Sequence, residues 1–149
     1  MKTIKNKKGR VKKSIYEISA VLEDIRMQSL GGIVSGITIW NMAVLPYLLY
    51  NSEVWTELEE EALDQLEELQ TLFLSALLAV PLSSPRPALA WDTGFLSMRH
   101  RINERKLQFI MHIKRLKSKD LAKQVYEEQH KNGYPGLVKE AQDLCKEYI

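Results

Sequence analysis

The sequence predicts an all-α fold, a multi-helix bundle of about six to seven helices organised as two helical subdomains. Three observations predict it. Apolar residues recur at intervals of three and four along most of the 149-residue chain, the period of a helix with one buried face. Most Gly and Pro residues fall between the periodic segments, where helices end. No stretch of four or more residues alternates convincingly between apolar and polar, as a half-buried strand would, because the short alternations that occur lie inside helical periods. Hydrophobic content of 45% and charged content of 27% support a real core and exclude wholesale disorder.

Residues 1–13 hold Lys2, Lys5, Lys7, Lys8, Arg10, Lys12 and Lys13 with no acid, and read as a basic disordered arm. No apolar region follows them, so a secretory signal is not expected. Ser14-x-x-Glu17 is a capping box opening a helix with Ile15, Ile18, Val21, Leu22 and Ile25 on one side. Gly31-Gly32 is expected to break it. The next helix, about Ile33 to Leu49, carries apolar residues at 33, 34, 37, 40, 44, 45, 48 and 49, and Pro46 is expected to kink it or end its regular part. Asn51 and Ser52 make a turn.

Thr56-x-x-Glu59 is a second capping box, with carboxylates crowding the first turns, where the helix dipole favours them. The stripe of this helix is Ala62, Leu66, Leu69, Phe73, Ala76 and Val80, widened by Leu63, Leu74 and Leu77. Charge vanishes after Glu68, so the distal half is expected to be buried all round, up to a stop at Pro81. Residues 14–80 form one helical bundle and residues 81–149 a helical extension, with the joint at Pro81–Pro87. Ser84-Pro85 starts a short helix that ends at Gly94. A longer helix, about Ser97 to Leu116, aligns Met98, Ile102, Phe109, Ile110, Ile113 and Leu116. Another starts at Ser118 or Lys119, has Leu121, Ala122, Val125 and Gln129 in register, and ends at Gly133. Pro135 begins the last, where Leu137, Val138, Ala141, Leu144, Cys145 and Tyr148 repeat with helical period.

The charge map bears on function. Met27 to Ser52 carries no charge, and Glu53 to Glu68 holds eight carboxylates with no Lys or Arg. A neutral helix followed by an acidic one is a buried hairpin core or a membrane span with a polar flank. The neutral run reaches the roughly 20 residues that a bilayer needs, with cations before it and acids after it. Gly31, Gly32, Ser35, Gly36, Thr38, Asn41 and Pro46 interrupt it, so a buried helix is the expectation and a membrane is not an expected partner.

Net charge is only +2, but a second basic block joins the first. Arg99, Arg101, Arg105, Lys106, Lys114, Arg115, Lys117 and Lys119 face only Glu104 within residues 99–119. Such blocks neutralise phosphates, and they are also what a solvated surface looks like. Motifs for catalysis are missing. Gly31 and Gly36 have the spacing of a phosphate loop, but Ile37 stands where its Lys belongs. Those glycines fit the close approach of a second helix better. Ser35 is misplaced for a nucleophile elbow. His100, His112 and His130 lack partners at metal-ligand spacing. The acidic run reads as a solvated helix face, and Trp40, Trp55 and Trp91 read as core anchors, with stacking on bases the sharper alternative. No cofactor, metal or small-molecule substrate is expected. Cys145 is the sole cysteine, which fits a reducing, intracellular compartment, nuclear or cytoplasmic.

The series Gly31-Gly32, Ile39-Trp40, Pro46-Tyr47-Leu48-Leu49-Tyr50-Asn51 and Trp55 resembles the segment after the polymerase palm in reverse transcriptases of LINE-type, non-LTR retrotransposons. The likeness continues through the Leu-x-x-Leu-Gln-x-x-Phe-Leu run of Leu66 to Leu74 and through Pro85 to Gly94. It extends to Lys106-Leu107-Gln108-Phe109, Leu121 to Tyr126, and Pro135-Gly136-Leu137-Val138, nearly the whole chain. The resemblance implies that residues up to about 80 correspond to a helical thumb, which in such enzymes grips the primer–template duplex by its backbone. The remainder would be the following helical extension. The family's Tyr-x-Asp-Asp palm box is absent, so the resemblance implies a non-catalytic fragment or remnant rather than an enzyme.

The expected function is binding to the backbone of a DNA or RNA duplex. Its candidate contacts are Lys5, Lys7, Lys8, Arg10, Lys12, Lys13, Arg99, Arg101, Arg105, Lys106, Lys114 and Arg115. The alternatives are a structurally inert remnant of a retrotransposon polymerase and a small single-pass membrane protein.

Overall fold

The structure, a computed structural model, describes Lys13 and residues 30–148 apart from Glu57 and Glu59. The helix expected from Ser14 and the first capping box lie outside the described residues. Within them the chain is all-α, with no strand and six helices when the run from Leu30 to Leu48 is counted as one. Two compact units emerge, Met1–Tyr50 with Glu59–Met98, and Asn51–Leu58 with Arg99–Ile149. The chain thus passes between the units at 50/51, 58/59 and 98/99, and the Pro81–Pro87 joint expected from the sequence lies inside the first unit. Three contacts tie residues 86–98 back to the acidic helix. Arg86 lies 3.6 Å from Asp64, the Gln70 amide donates to the Leu96 carbonyl at 3.2 Å, and the Met98 N–H donates to Glu67 Oε1 at 2.6 Å.

In the first unit, α1 (Leu30–Ile39) runs through a π-helical turn at Trp40–Val44 into α2 (Leu45–Leu48). Gly31 and Gly32 lie inside α1, ahead of the start expected at about Ile33, and the helix they were expected to break lies outside the described residues. Gly32 and Gly36, one turn apart, are both buried, which fits the close-approach reading at a register one residue on from Gly31. Pro46 neither ends nor breaks the run. A proline clashes with the carbonyl four residues back, and the π-turn just before it relieves that clash by shifting the ladder to i→i−5, as in the Leu45 N–H to Trp40 carbonyl bond.

One side of this run is core: Trp40, Val44, Leu45, Leu48 and Leu49 are buried. The other exposes Val34, Met42, Tyr47 and Tyr50. Gly31–Leu48 is long and apolar enough to cross a bilayer, with a third of it buried. Its outer side also carries Ser35, Thr38 and Asn41. Ser35 and Thr38 donate their hydroxyls to the carbonyls four residues back, at 2.8 and 2.9 Å.

The helix α3 (Glu60–Leu78) packs against α1 and supplies most of the core. Ala62, Leu63, Leu66, Leu69, Phe73, Leu74 and Leu77 are buried, and no residue from Leu69 to Leu78 is exposed, as the loss of charge after Glu68 predicts. The Trp40 and Phe73 rings stack with centroids 4.6 Å apart, and Phe95 lies 6.3 Å from the same indole. Pro81 is not what ends α3. The helix closes on Ala79, which takes φ +54°, while the Val80 N–H reaches back to the Ser75 carbonyl. This is a Schellman-type cap with alanine in the glycine position. The next helix, α4 (Arg86–Thr93), ends on left-handed Gly94. Trp91 on it is 88% exposed, so it is not the core anchor expected.

In the second unit, Ser52–Val54 forms a short 3-10 turn after left-handed Asn51. There follow α5 (Met98–Arg115, whose first residue counts with the first unit), α6 (Leu121–Asn132) and α7 (Leu137–Tyr148). Ile110, Ile113, Tyr126, Val138 and Ala141 make its core, flanked by Leu107, Phe109 and Leu137. The stripe expected on α6 is turned outward. Leu121 and Val125 are exposed, and Tyr126 is the residue that α6 buries.

Candidate nucleic-acid interface

The basic candidates on α5 do not form one face. A helix advances 100° per residue, so Arg99, Arg101, Arg105, Lys106, Lys114 and Arg115 are distributed around its full circumference. Arg99, Lys114 and Arg115 are exposed, Arg101 and Arg105 are half-buried, and Lys106 is buried. Burial lowers the Arg101 pKa from its ordinary value, Glu104 opposes that shift and Arg105 adds to it. Lys13 is exposed, while Lys5, Lys7, Lys8, Arg10 and Lys12 lie outside the described residues.

Lys106 departs most clearly from the role of phosphate contact expected for it. Its ammonium donates to Glu140 Oε2 at 2.7 Å, and its side chain is 6% exposed. The spacing 98, 102, 106, 110 explains this, since it puts Lys106 in the same buried stripe as Met98, Ile102 and Ile110. Lys106 and Arg99 line a cleft of about 380 Å³ whose opposite wall on α7 presents Glu140, Asp143 and Glu147. Three carboxylates against two cations make that cleft net negative, so Arg99 and Lys106 face a surface that repels phosphate.

The cations that the structure does gather lie at the α5–α6 corner. Lys114, Arg115, Lys117 and Lys119 are all exposed there. The corner is tied by short-range bonds. The Lys117 N–H donates to Asp120 Oδ2 at 3.0 Å, and the Asp120 N–H returns to the Lys117 carbonyl at 2.9 Å. Gln124 donates to the Ser118 carbonyl at 3.2 Å. Lys123 Nζ reaches the Lys114 carbonyl at 2.8 Å, capping the end of α5, and lies 3.7 Å from Glu127. Asp120, the one acid between Lys114 and Leu121, therefore spends its carboxylate on the backbone. Lys117 and Lys119 belong to the basic block but not to the twelve candidate contacts; the continuation of the charge run past the end of α5 was the signal for them.

Among the described residues, no group of three or more His, Cys, Asp or Glu side chains is placed to hold a metal ion. No protein-family model matches the chain, and neither does any curated protein or any solved structure.

Proposed function

We propose that the chain is a non-catalytic helical module of the kind that follows the palm in LINE-type reverse transcriptases, and that it holds a nucleic-acid duplex by its sugar–phosphate backbone. The contacts are Lys114, Arg115, Lys117 and Lys119, assisted by the cations of residues 1–13. The observation that carries the reading is the tied corner, which presents four exposed cations over six residues and spends its one carboxylate on a backbone N–H. Contacts of this type position a duplex without reading its sequence. In this reading these residues supply no polymerase chemistry of their own, since they hold no Tyr-x-Asp-Asp box to bind two metals.

The test is fluorescence anisotropy on a labelled duplex of about 20 base pairs between about 50 and 200 mM salt, a range wide enough for phosphate binding to weaken by orders of magnitude. Affinity should fall linearly on a log–log plot. The triple variant Arg115→Gln/Lys117→Gln/Lys119→Gln should flatten the slope by about 0.9 for each phosphate it no longer neutralises, for any duplex sequence. No binding at low salt, or a slope that the variant leaves unchanged, overturns the reading.

A further inference from the structure

We propose that the second unit carries a binding site for an amphipathic organic anion, a carboxylate or phosphate ester with an aliphatic or aromatic body. The site is a hollow of about 370 Å³ formed by α5, α6 and α7. Its walls are Ile110, Val138, Ala141 and Cys145, closed on one side by the Tyr126 ring. Lys114 and Lys146 stand at its rim. The size falls within the range of small-ligand pockets, which are lined mostly by apolar groups with a few convergent polar ones.

Charge selects the ligand. None of the described lining residues is acidic, and two are lysines. Glu140 and Glu147 on α7 line the other cleft, against Arg99 and Lys106, and Asp143, which lines that cleft too, is also paired with a rim lysine of the hollow. One helix thus separates a charged cleft from an apolar, cationic hollow, and only the second suits an anion with a greasy body. The Lys114 ammonium lies 5.8 Å from the Tyr126 ring centroid, directly beside the space. The Lys146 ammonium sits 3.2 Å from Asp143, with its side chain 79% exposed. An exposed pair of that kind is worth well under a typical hydrogen bond to a charged group, so an anion in the hollow competes for it. This site shares Lys114 with the proposed duplex surface but does not rest on that reading, since its walls and Lys146 lie outside it.

The sole cysteine lines the hollow, which makes the experiment direct. The full chain is titrated with 1-anilinonaphthalene-8-sulfonate and with N-phenyl-1-naphthylamine, the same body without the anionic group. Expected is saturable one-to-one binding of the sulfonate, slower maleimide modification of Cys145 in its presence, and displacement by decanoate but not by decanol. Lys114→Gln and Lys146→Gln should each weaken the sulfonate about fivefold, on the order of one charge-assisted hydrogen bond at a wet rim, without affecting the neutral probe. Lys146→Gln should leave duplex binding unchanged, so failure here is distinguishable from failure of the duplex reading. The proposal is overturned if both probes respond alike to the lysine variants, or if saturating sulfonate leaves Cys145 labelling unchanged.

Discussion

Lys106 and Glu140 form a pair in which the burdens are unequal: the two charges meet at 2.7 Å, but the lysine side chain is 6% exposed and the glutamate 29%. The carboxylate keeps some water; the ammonium has almost none. A buried charge is tolerated only while its partner remains, and removing the partner costs more than replacing both members by apolar groups.

That asymmetry gives the first prediction. Glu140→Leu strands the ammonium and should destabilise the fold by about 3 kcal/mol. Lys106→Met leaves a carboxylate that water can still reach, and should cost about 1 kcal/mol. The double variant should recover most of the Glu140→Leu loss. Urea unfolding of the four proteins measures all three numbers. Lys106→Met should also leave duplex affinity unchanged, since this ammonium never reaches a phosphate.

The tryptophans should separate by solvent access. Trp40 is fully buried and stacked on Phe73 at 4.6 Å, while Trp91 is 88% exposed. Phe73→Ala removes the stacking partner and opens a cavity, at a cost of about 3–5 kcal/mol. Trp91→Ala touches no core and should stay within about 0.5 kcal/mol of the parent. Iodide quenching checks the assignment. The Trp91→Ala variant should lose the strongly quenched fraction of the emission and keep a protected one.

A glycine substitution should stabilise this protein. Ala79 closes α3 at φ +54°, where an L side chain costs about 1–2 kcal/mol. Ala79→Gly relieves that and loses about 0.4–1 kcal/mol through the freer unfolded chain. The net gain is about 0.5 kcal/mol, visible as a higher urea midpoint at unchanged m-value.

Much of this fold was legible in the residues, and its failures have physical causes. The stripe from Ala62 to Leu77 has one outcome because its apolar period is long and its polar side is heavily charged. Gly94 and Gly133 end helices at φ +69° and +64°, where glycine is the natural choice. The reading failed where a local pattern had two solutions. On α6, Leu121, Ala122 and Val125 repeat as regularly as a core stripe, yet Tyr126 is the residue that meets Val138 and Ile110. Period alone does not say which side a neighbouring helix will cover. Lys106 was missed for the opposite reason. Its spacing from Ile102 and Ile110 marked it as inward, but its charge argued outward, and the deciding carboxylate lay 34 residues away. The basic corner was half visible: the charge run was plain, but helical geometry determines which of its members share a surface.

The single anchor of α6 carries the last prediction. Tyr126 is 7% exposed, and Leu121, Val125, Gln129 and most of their neighbours face solvent. Lys114 and Lys123 each place an ammonium 5.8 Å from its ring centroid. Tyr126→Leu keeps apolar packing but removes the ring, and with it two cation–π interactions worth about 0.5–2 kcal/mol each, according to how far each ammonium is desolvated. Tyr126→Ala removes the anchor itself. Helices this short have little stability alone, so amide exchange should accelerate across Leu121–Asn132 in the alanine variant while α3 keeps its protection. Tyr126→Phe, which keeps the ring, should leave that exchange pattern as it was. Uniform acceleration along the whole chain would mean instead that α6 is bound into one cooperative unit with the rest, and that its few buried side chains understate its attachment.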